Sequence, residues 1–181
     1  MANWTFEPGH TAAEFSVRHM MVTNVRGHFK NVQGILVFDP KDPGNIQVEV
    51  TINTNEIWSG EAGRDDHLRA ADFLAVEQYP KITFNEIKVI GDHDYQVTGD
   101  LTIRDVTKKV SLEVSYLGQW PTPWWEDGED KGPKTRAGFL AKTTINRHDF
   151  GVSWNAPLDN QGVVVGDLVD ITIDAEAILE T

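Results

Sequence analysis

Apolar and polar positions alternate with period two along most of this chain. From Phe15 to Phe29 the odd positions read Phe15, Val17, His19, Met21, Thr23, Val25, Gly27 and Phe29, and the even positions are mostly polar. A run of this kind is an extended strand, or two strands joined by a bend, with one buried face. The same alternation returns at Ile46–Ile52, Tyr95–Ile103, Val110–Tyr116, Ala137–Ile145 and Val169–Leu179. In Lys81–Ile90 the phase slips between Phe84 and Ile87, which predicts a bulge or bend near Asn85–Glu86. Turn chemistry separates the runs at Asp39–Gly44, Gly91–Asp94 and Asp159–Gly162, and the short spacers predict antiparallel neighbours.

One stretch departs from the rhythm. Between Ser59 and Tyr79, Leu68, Ala71 and Phe73-Leu74 form an i, i+3 apolar stripe beside charged residues, with Ser59 as the expected N-cap and Pro80 as the stop. Seven or more one-sided strands must hide their apolar faces in a sandwich or a closed barrel. Strands of ~25–40 Å are too long for one helical insertion to cover, so a barrel closed on itself is the economical solution. The reading is an all-β fold, an antiparallel eight-stranded barrel with a short helical insertion at about residues 59–79, in a single domain over 1–181. Eight strands enclose an interior that either fills with side chains or holds one ligand.

Composition narrows the chemistry. Sixteen Lys and Arg stand against 28 Asp and Glu, a formal charge of −12, which opposes phosphate backbones and makes nucleic acid a poor partner. No cysteine is present, which removes disulfides, thiol nucleophiles and thiolate metal sites. No apolar run reaches the ~18–20 residues of a membrane helix. The start of the sequence lacks the basic and apolar regions of a signal peptide, so the expected setting is cytoplasmic, a processed secreted form being the other option.

Nucleophile-elbow, zincin, P-loop and dinucleotide motifs are all missing, and the six histidines have no metal-ligand spacing. Asp65-Asp66-His67 reads as the polar side of a solvated helix rather than a metal site. His19 falls on an apolar face, where it is either a hydrogen-bonded core histidine or a polar contact for a ligand. Arg104 reads as an exposed strand end, and Arg18, Arg26, Arg64, Arg69 and Arg147 are scattered candidates for gripping an anionic headgroup. Gly118–Lys134, rich in Trp, Pro and acid, reads as a long loop that packs on the barrel wall or closes over a cavity as a lid.

Several segments together resemble one family. Phe15-Ser16-Val17-Arg18-His19-Met20 is similar to its F-x-V-x-H-[LM], Val25-Arg26-Gly27-His28-Phe29 to V-x-G-x-F, and Arg64 to Phe73 to R-D-x-H-L-x-x-x-D-F. Tyr79 to Phe84, Gly99 to Lys108, Ile145 to Gly151 and Val165 to Val169 resemble Y-P-x-I-x-F, G-x-L-T-I-x-x-V-T-[KR], I-N-R-x-D-F-G and V-G-D-x-V. These are the motifs of the YceI-like family of polyisoprenoid-binding, lipocalin-like proteins, in family order from about residue 4 to 178.

The resemblance implies a lipocalin-like barrel whose hydrophobic tunnel holds a long-chain isoprenoid or acyl lipid, such as a polyprenyl phosphate or an isoprenoid quinone. It also implies a homodimer. With no nucleophile and no metal motif in the sequence, neither catalysis nor a cofactor beyond the lipid is expected. The expected cavity lining is Phe15, Val17, Met21, Phe29, Phe84, Leu101, Ile103, Phe139 and Phe150, with Phe73 and Leu74 from the helical insertion. His19, Arg64 and His67 are the expected polar or headgroup contacts. An apolar face turned outward against the insertion or a loop would give the same alternation. Two other functions compete with a lipid carrier or store: a stress-response interaction module, and an enzyme acting on the lipid with His19 or His67 and Asp65 as acid and base.

Overall fold

The alternating segments become strands because their inner side chains are apolar and their outer ones are solvated. A computed structural model describes residues 2–42, 46–91 and 94–180, with all side chains there except those of Glu86 and Ile87. In chain order the strands are β1 (Ala2–Phe6), β2 (Ala12–His19), β3 (Thr23–Phe29), β4 (Gln33–Phe38), β5 (Gln47–Asn53) and β6 (Ile57–Trp58). A helix, α1 (Ala62–Arg69), precedes β7 (Lys81–Ile90), β8 (Asp94–Ile103) and β9 (Val106–Thr122). Then come β10 (Trp125–Glu126), β11 (Glu129–Asp130), β12 (Lys134–Asn146) and β13 (Val165–Leu179).

Eight strands close a ring of antiparallel neighbours in the order β1-β4-β5-β7-β8-β9-β12-β13, with β13 pairing back to β1. The remaining pairing shapes the molecule. β13 is 15 residues long, and β12 runs along one of its edges from Leu168 to Ile178. Its other edge is shared. β2 takes the part from Val165 to Asp174, and β1 takes Ala177 to Leu179. The sheet therefore forks, and β2, β3 and β6 form a flap at one end of the barrel.

The expected bulge in β7 is present as a register shift against β8 between Glu86 and Lys88. The long alternation from Phe15 to Phe29 is a hairpin: Val22 N–H donates to the His19 carbonyl (3.2 Å), and β2 and β3 pair with Phe15 opposite Gly27. Asp39–Asp42 turns with the Asp42 N–H on the Asp39 carbonyl (3.0 Å). The expected turn residues Pro43, Gly44, Asp92 and His93 lie outside the described residues.

Two expectations change. The helical insertion contains only eight helical residues, and its cap is Glu61, whose carboxylate accepts from the N–H groups of Gly63 (3.0 Å) and Arg64 (2.6 Å). Ser59 instead anchors the helix from outside: its N–H donates to buried Asp65 (2.8 Å), and it receives Nε (2.7 Å) and Nη2 (2.8 Å) of Arg64 at its hydroxyl and carbonyl. Phe73 and Leu74 lie beyond the helix, in the turns that lead back to β7. Polar bonds tie α1 to the segment around β6: Ser59 holds Asp65 and Arg64, and Arg69 donates to the carbonyls of Asn55 (3.1 Å) and Ile57 (2.9 Å).

The Trp-rich stretch is not an open loop. Residues up to Thr122 continue β9, Lys134 onward form β12, and the tip is the small β10–β11 hairpin. Lys134 Nζ sits 3.8 Å from the Trp124 ring centre, with Arg136 on the same ring, so Trp124 is held as a cation–π partner.

Arg104 and Arg147 also differ from their expected roles. Arg104, in the tight β8–β9 turn, donates to the carbonyls of Phe73 (2.9 Å) and Gly151 (2.8 Å), tying the insertion to the loop after β12. Arg147 is 4% exposed and donates to four carbonyls, those of Gly166, Val152, Trp154 and Val165. Burial lowers its pKa from the usual arginine value, and nearby Asp167 opposes the shift. It is an internal cross-link for the 150–166 loop, neither a surface ion pair nor a headgroup grip.

Replacing Arg147 by Met leaves these carbonyls without donors. The expected loss is about 3 kcal/mol, seen as a Tm lower by about 6–12 °C in calorimetry. A Tm within a degree of the parent would show that water replaces the guanidinium at no cost.

Candidate functional site

The inner face of the barrel is hollow. Phe15, Val17, Leu101, Ile103, Ala141 and Ile173 point inward by strand alternation yet are only half-buried, because a cavity of about 690 Å³ runs past them. That volume lies within the ~300–1,000 Å³ of sites that enclose a small-molecule ligand. Its walls come from all eight ring strands and from the flap.

Glycines let the aromatic walls lie flat. A Cβ on Gly27 would stand 2.5 Å from the Phe15 ring, and one on Gly99 would stand 2.4 Å from the Phe84 ring. Each phenyl group therefore folds over a glycine on the neighbouring strand and lines the cavity.

The cavity has two unlike ends. At one end it stops against Phe38, Tyr95 and Phe139, whose rings pack edge-on or tilted with centroids 5.2 to 6.2 Å apart from Phe38. Behind this floor, Trp4, Ala137 and Ala177 are buried, and Trp4 Nε1 donates to the Phe38 carbonyl (3.0 Å). Tyr116 packs on Phe38 and Phe139 there, and burial, followed by the neighbouring Tyr95, raises its pKa above the ordinary phenol value.

At the other end the sheet forks. The lining residues that are also solvent-exposed, Glu14, Arg18, Glu61 and Gly63, all belong to the flap and the start of α1, so this is the mouth. The charged groups of the lining, Arg64 and Arg147 included, gather at the same end.

The residues named from sequence fall as follows. Phe15, Val17, Phe29, Phe84, Leu101, Ile103, Phe139 and Phe150 line the cavity, as do Phe73 and Leu74. Met21 does not: it is one of the two central residues of the β2–β3 turn, exposed, with a φ of 64°. Period two assigns a face to every residue of a run, but the centre of a hairpin belongs to neither face.

Among the polar candidates, His19 lines the mouth, and its imidazole has no hydrogen-bond partner among the described residues. Arg64 lines it too. Its Nε and one Nη2 donor are spent on Ser59, and no carboxylate lies within ion-pair distance among the described residues. His67 Nε2 stands 2.9 Å from Asp72 Oδ2, and its ring lies edge-on to Phe73 and Trp154 (centroids 4.9 and 4.8 Å). Asp65 is buried on Ser59 and makes no pair with His67, so the acid–base arrangement weighed from sequence is not assembled. No group of three His, Asp or Glu residues poised for a metal occurs among the described residues.

Sequence reasoning overlooked part of the site. Phe38 and Leu36 come from β4, and Phe6 comes from β1. β4 reads Gly34-Ile35-Leu36-Val37-Phe38, apolar on both faces, so it shows no alternation. β1 is five residues long, too short for a periodic signal, although Ala2, Trp4 and Phe6 do alternate. Trp154, Val164 and Val165 sit in or beside an irregular loop, where periodicity carries no signal. The Trp-rich hairpin supplies nothing to the lining: no residue from 118 to 134, all described, borders the cavity. It stands over the closed end, so the lid reading is set aside.

The fold and sequence are shared with known proteins. A UPF0312 protein of Pectobacterium atrosepticum is 40% identical over 149 residues, covering 81% of this chain and 73% of that one. The crystal structure of Burkholderia cenocepacia BcnA superposes with a TM-score of 0.79 at 21% identity, covering 94% of this chain and 98% of that one. A polyisoprenoid binding domain from Saccharophagus degradans, implicated in plant cell wall breakdown, superposes with a TM-score of 0.71 at 10% identity over 99% of this chain and all of that one. At these identities the two structures share the barrel. Residues 4–177 match the YceI-like domain, and the chain belongs to that family.

Proposed function

We propose that this protein binds one isoprenoid chain, tail first, in the cavity, and carries or stores it without altering it. The observation that carries the reading is the cavity itself, a blind apolar pocket of about 690 Å³ with its charged lining gathered at the mouth. The structural likeness to a polyisoprenoid binding domain supports it. Removing a prenyl chain from water stabilises the complex by about 0.8 kcal/mol per buried methylene. A chain of a few units thus has ample driving force, even after the cost of ordering it.

The head then rests among His19, Arg64 and His67. The unspent donors of Arg64 favour an anionic head of the polyprenyl phosphate type over a quinone. A homodimer and a cytoplasmic setting belong to the same proposal. The site residues bind and orient, and no catalytic role is assigned to them.

Ala141 lies between Val114 and Ile173 on the inner wall, and Val17 lies nearer the mouth. Introducing Trp at Ala141 is expected to shorten the longest prenyl chain accepted and to weaken longer chains by at least about tenfold, with short chains still bound. Titration with a length series of prenyl alcohols, followed by quenching of intrinsic fluorescence, reads this directly. An unchanged length profile for both Ala141→Trp and Val17→Trp would show that the chain lies elsewhere.

Arg64→Gln is expected to weaken a prenyl phosphate by about tenfold relative to the alcohol of the same length. Equal loss for both would show that Arg64 acts only by holding α1.

A further inference from the structure

The mouth carries an apolar tip that the fold does not need. The β2–β3 turn has Met20 and Met21 at its two central positions, with φ of 47° and 64°. Hairpin turns with two positive φ values are normally built from Asn, Asp and Gly, because other side chains are strained there. The β8–β9 turn at the same end has the same backbone signs and uses Arg104 and Asp105.

Met20 and Met21 are 47% and 53% exposed, so burial does not offset the strain. Val22 beside them is 78% exposed. Leu168, in the bulge of β13 between the pairs Val165–His19 and Val169–Val17, is 59% exposed. Met20 N–H donates to the Val164 carbonyl (2.7 Å), which fixes the turn against a segment that lines the cavity.

The charge of the hairpin itself is unlike that of the chain, whereas the strand beside it, β13, carries exposed Asp167 and Asp170 on either side of Leu168. From Phe15 to Phe29 there is no acidic residue, within a protein of formal charge −12. Arg18, which also borders the cavity mouth, and Arg26 are diagonal neighbours across the hairpin (Ser16 pairs with Arg26, Arg18 with Asn24), and both are exposed. Among the described residues neither has a carboxylate within ion-pair distance. The Trp-rich hairpin, the other exposed apolar tip, has the opposite character, with Glu126, Asp127, Glu129 and Asp130 around it.

We propose that the Met20–Met21 turn, with Val22, Leu168, Arg18 and Arg26, docks the mouth of the cavity on the surface of an anionic phospholipid bilayer. The apolar side chains enter the headgroup boundary and the two guanidiniums meet lipid phosphates. The mouth then faces the bilayer, and a lipid chain passes between membrane and cavity without crossing water. The transfer role rests on the lipid-binding reading above, whereas the docking does not.

The test is co-sedimentation of the full chain with vesicles of phosphatidylcholine alone and of phosphatidylcholine mixed with phosphatidylglycerol. The parent binds the mixed vesicles. The double variant Met20→Asn, Met21→Gly restores a favoured turn, so it keeps or raises its Tm and still takes up a prenyl alcohol added in solution. Its vesicle affinity falls by at least about tenfold. Arg18→Gln with Arg26→Gln reduces binding to the mixed vesicles and leaves binding to phosphatidylcholine unchanged.

A parent that stays in the supernatant, or a double variant that sediments as the parent does, overturns the proposal. So does a double variant that changes from dimer to monomer in sedimentation velocity while neither form binds vesicles, which would make the tip a contact between two copies. Parent protein that binds vesicles through the tip but takes up no prenyl alcohol upholds the docking and removes the lipid-binding reading instead.

Discussion

The edge of β13 that serves two partners is the constraint on which the rest of the molecule depends. A ring of eight strands closes only because Ala177–Leu179 reach β1. The same edge, from Val165 to Asp174, is already taken by β2. Two strands cannot occupy one edge without diverging, so the barrel is sealed at one end and split at the other. The sealed end fills with aromatic rings around Phe38, as an apolar interior must. The split end has to be filled by other means, and α1 with its following turns does that. Polar bonds hold these elements: Ser59 to Asp65, Arg64 to Ser59, Arg104 to two carbonyls and Arg147 to four. A mouth built from charged groups and an end built from rings thus follow from one strand's length.

That polarity gives the cavity a direction. An amphiphile entering tail first removes its chain from water along the whole wall and leaves its head among Arg64, His19 and His67. The reverse orientation would bury a polar head against Phe38 and Tyr95 with little to receive it. The bonds that hold Arg64 to Ser59 also leave the remaining guanidinium donors free, so the architecture of the insertion and the chemistry of the mouth share residues.

Much of this was legible in the alternation. Phe15, Val17, Phe29, Leu101 and Phe139 lie on the inner wall because a strand gives every second residue to one face. The family motifs added the order of the parts and the barrel topology. Other features were hidden for definable reasons. β1 is too short to show a period, and β4 is apolar on both faces, yet these two complete the ring. Met21 kept the phase of its run but fell at the centre of a turn. The Trp-rich segment looked like a loop because Pro121 and Gly118 interrupt its strand, while a register shift at Gly138–Phe139 lets β9 and β12 pair through it. The role of Arg147 depends on carbonyls five to nineteen residues away, which no local pattern encodes.

The central claim is that the hollow interior is a lipid site. Mass spectrometry of an organic extract from natively folded, purified protein tests it most directly. The account predicts an isoprenoid near one molecule per chain, chemically unaltered. An extract empty of lipid, from protein that also refuses added prenyl chains, would contradict it.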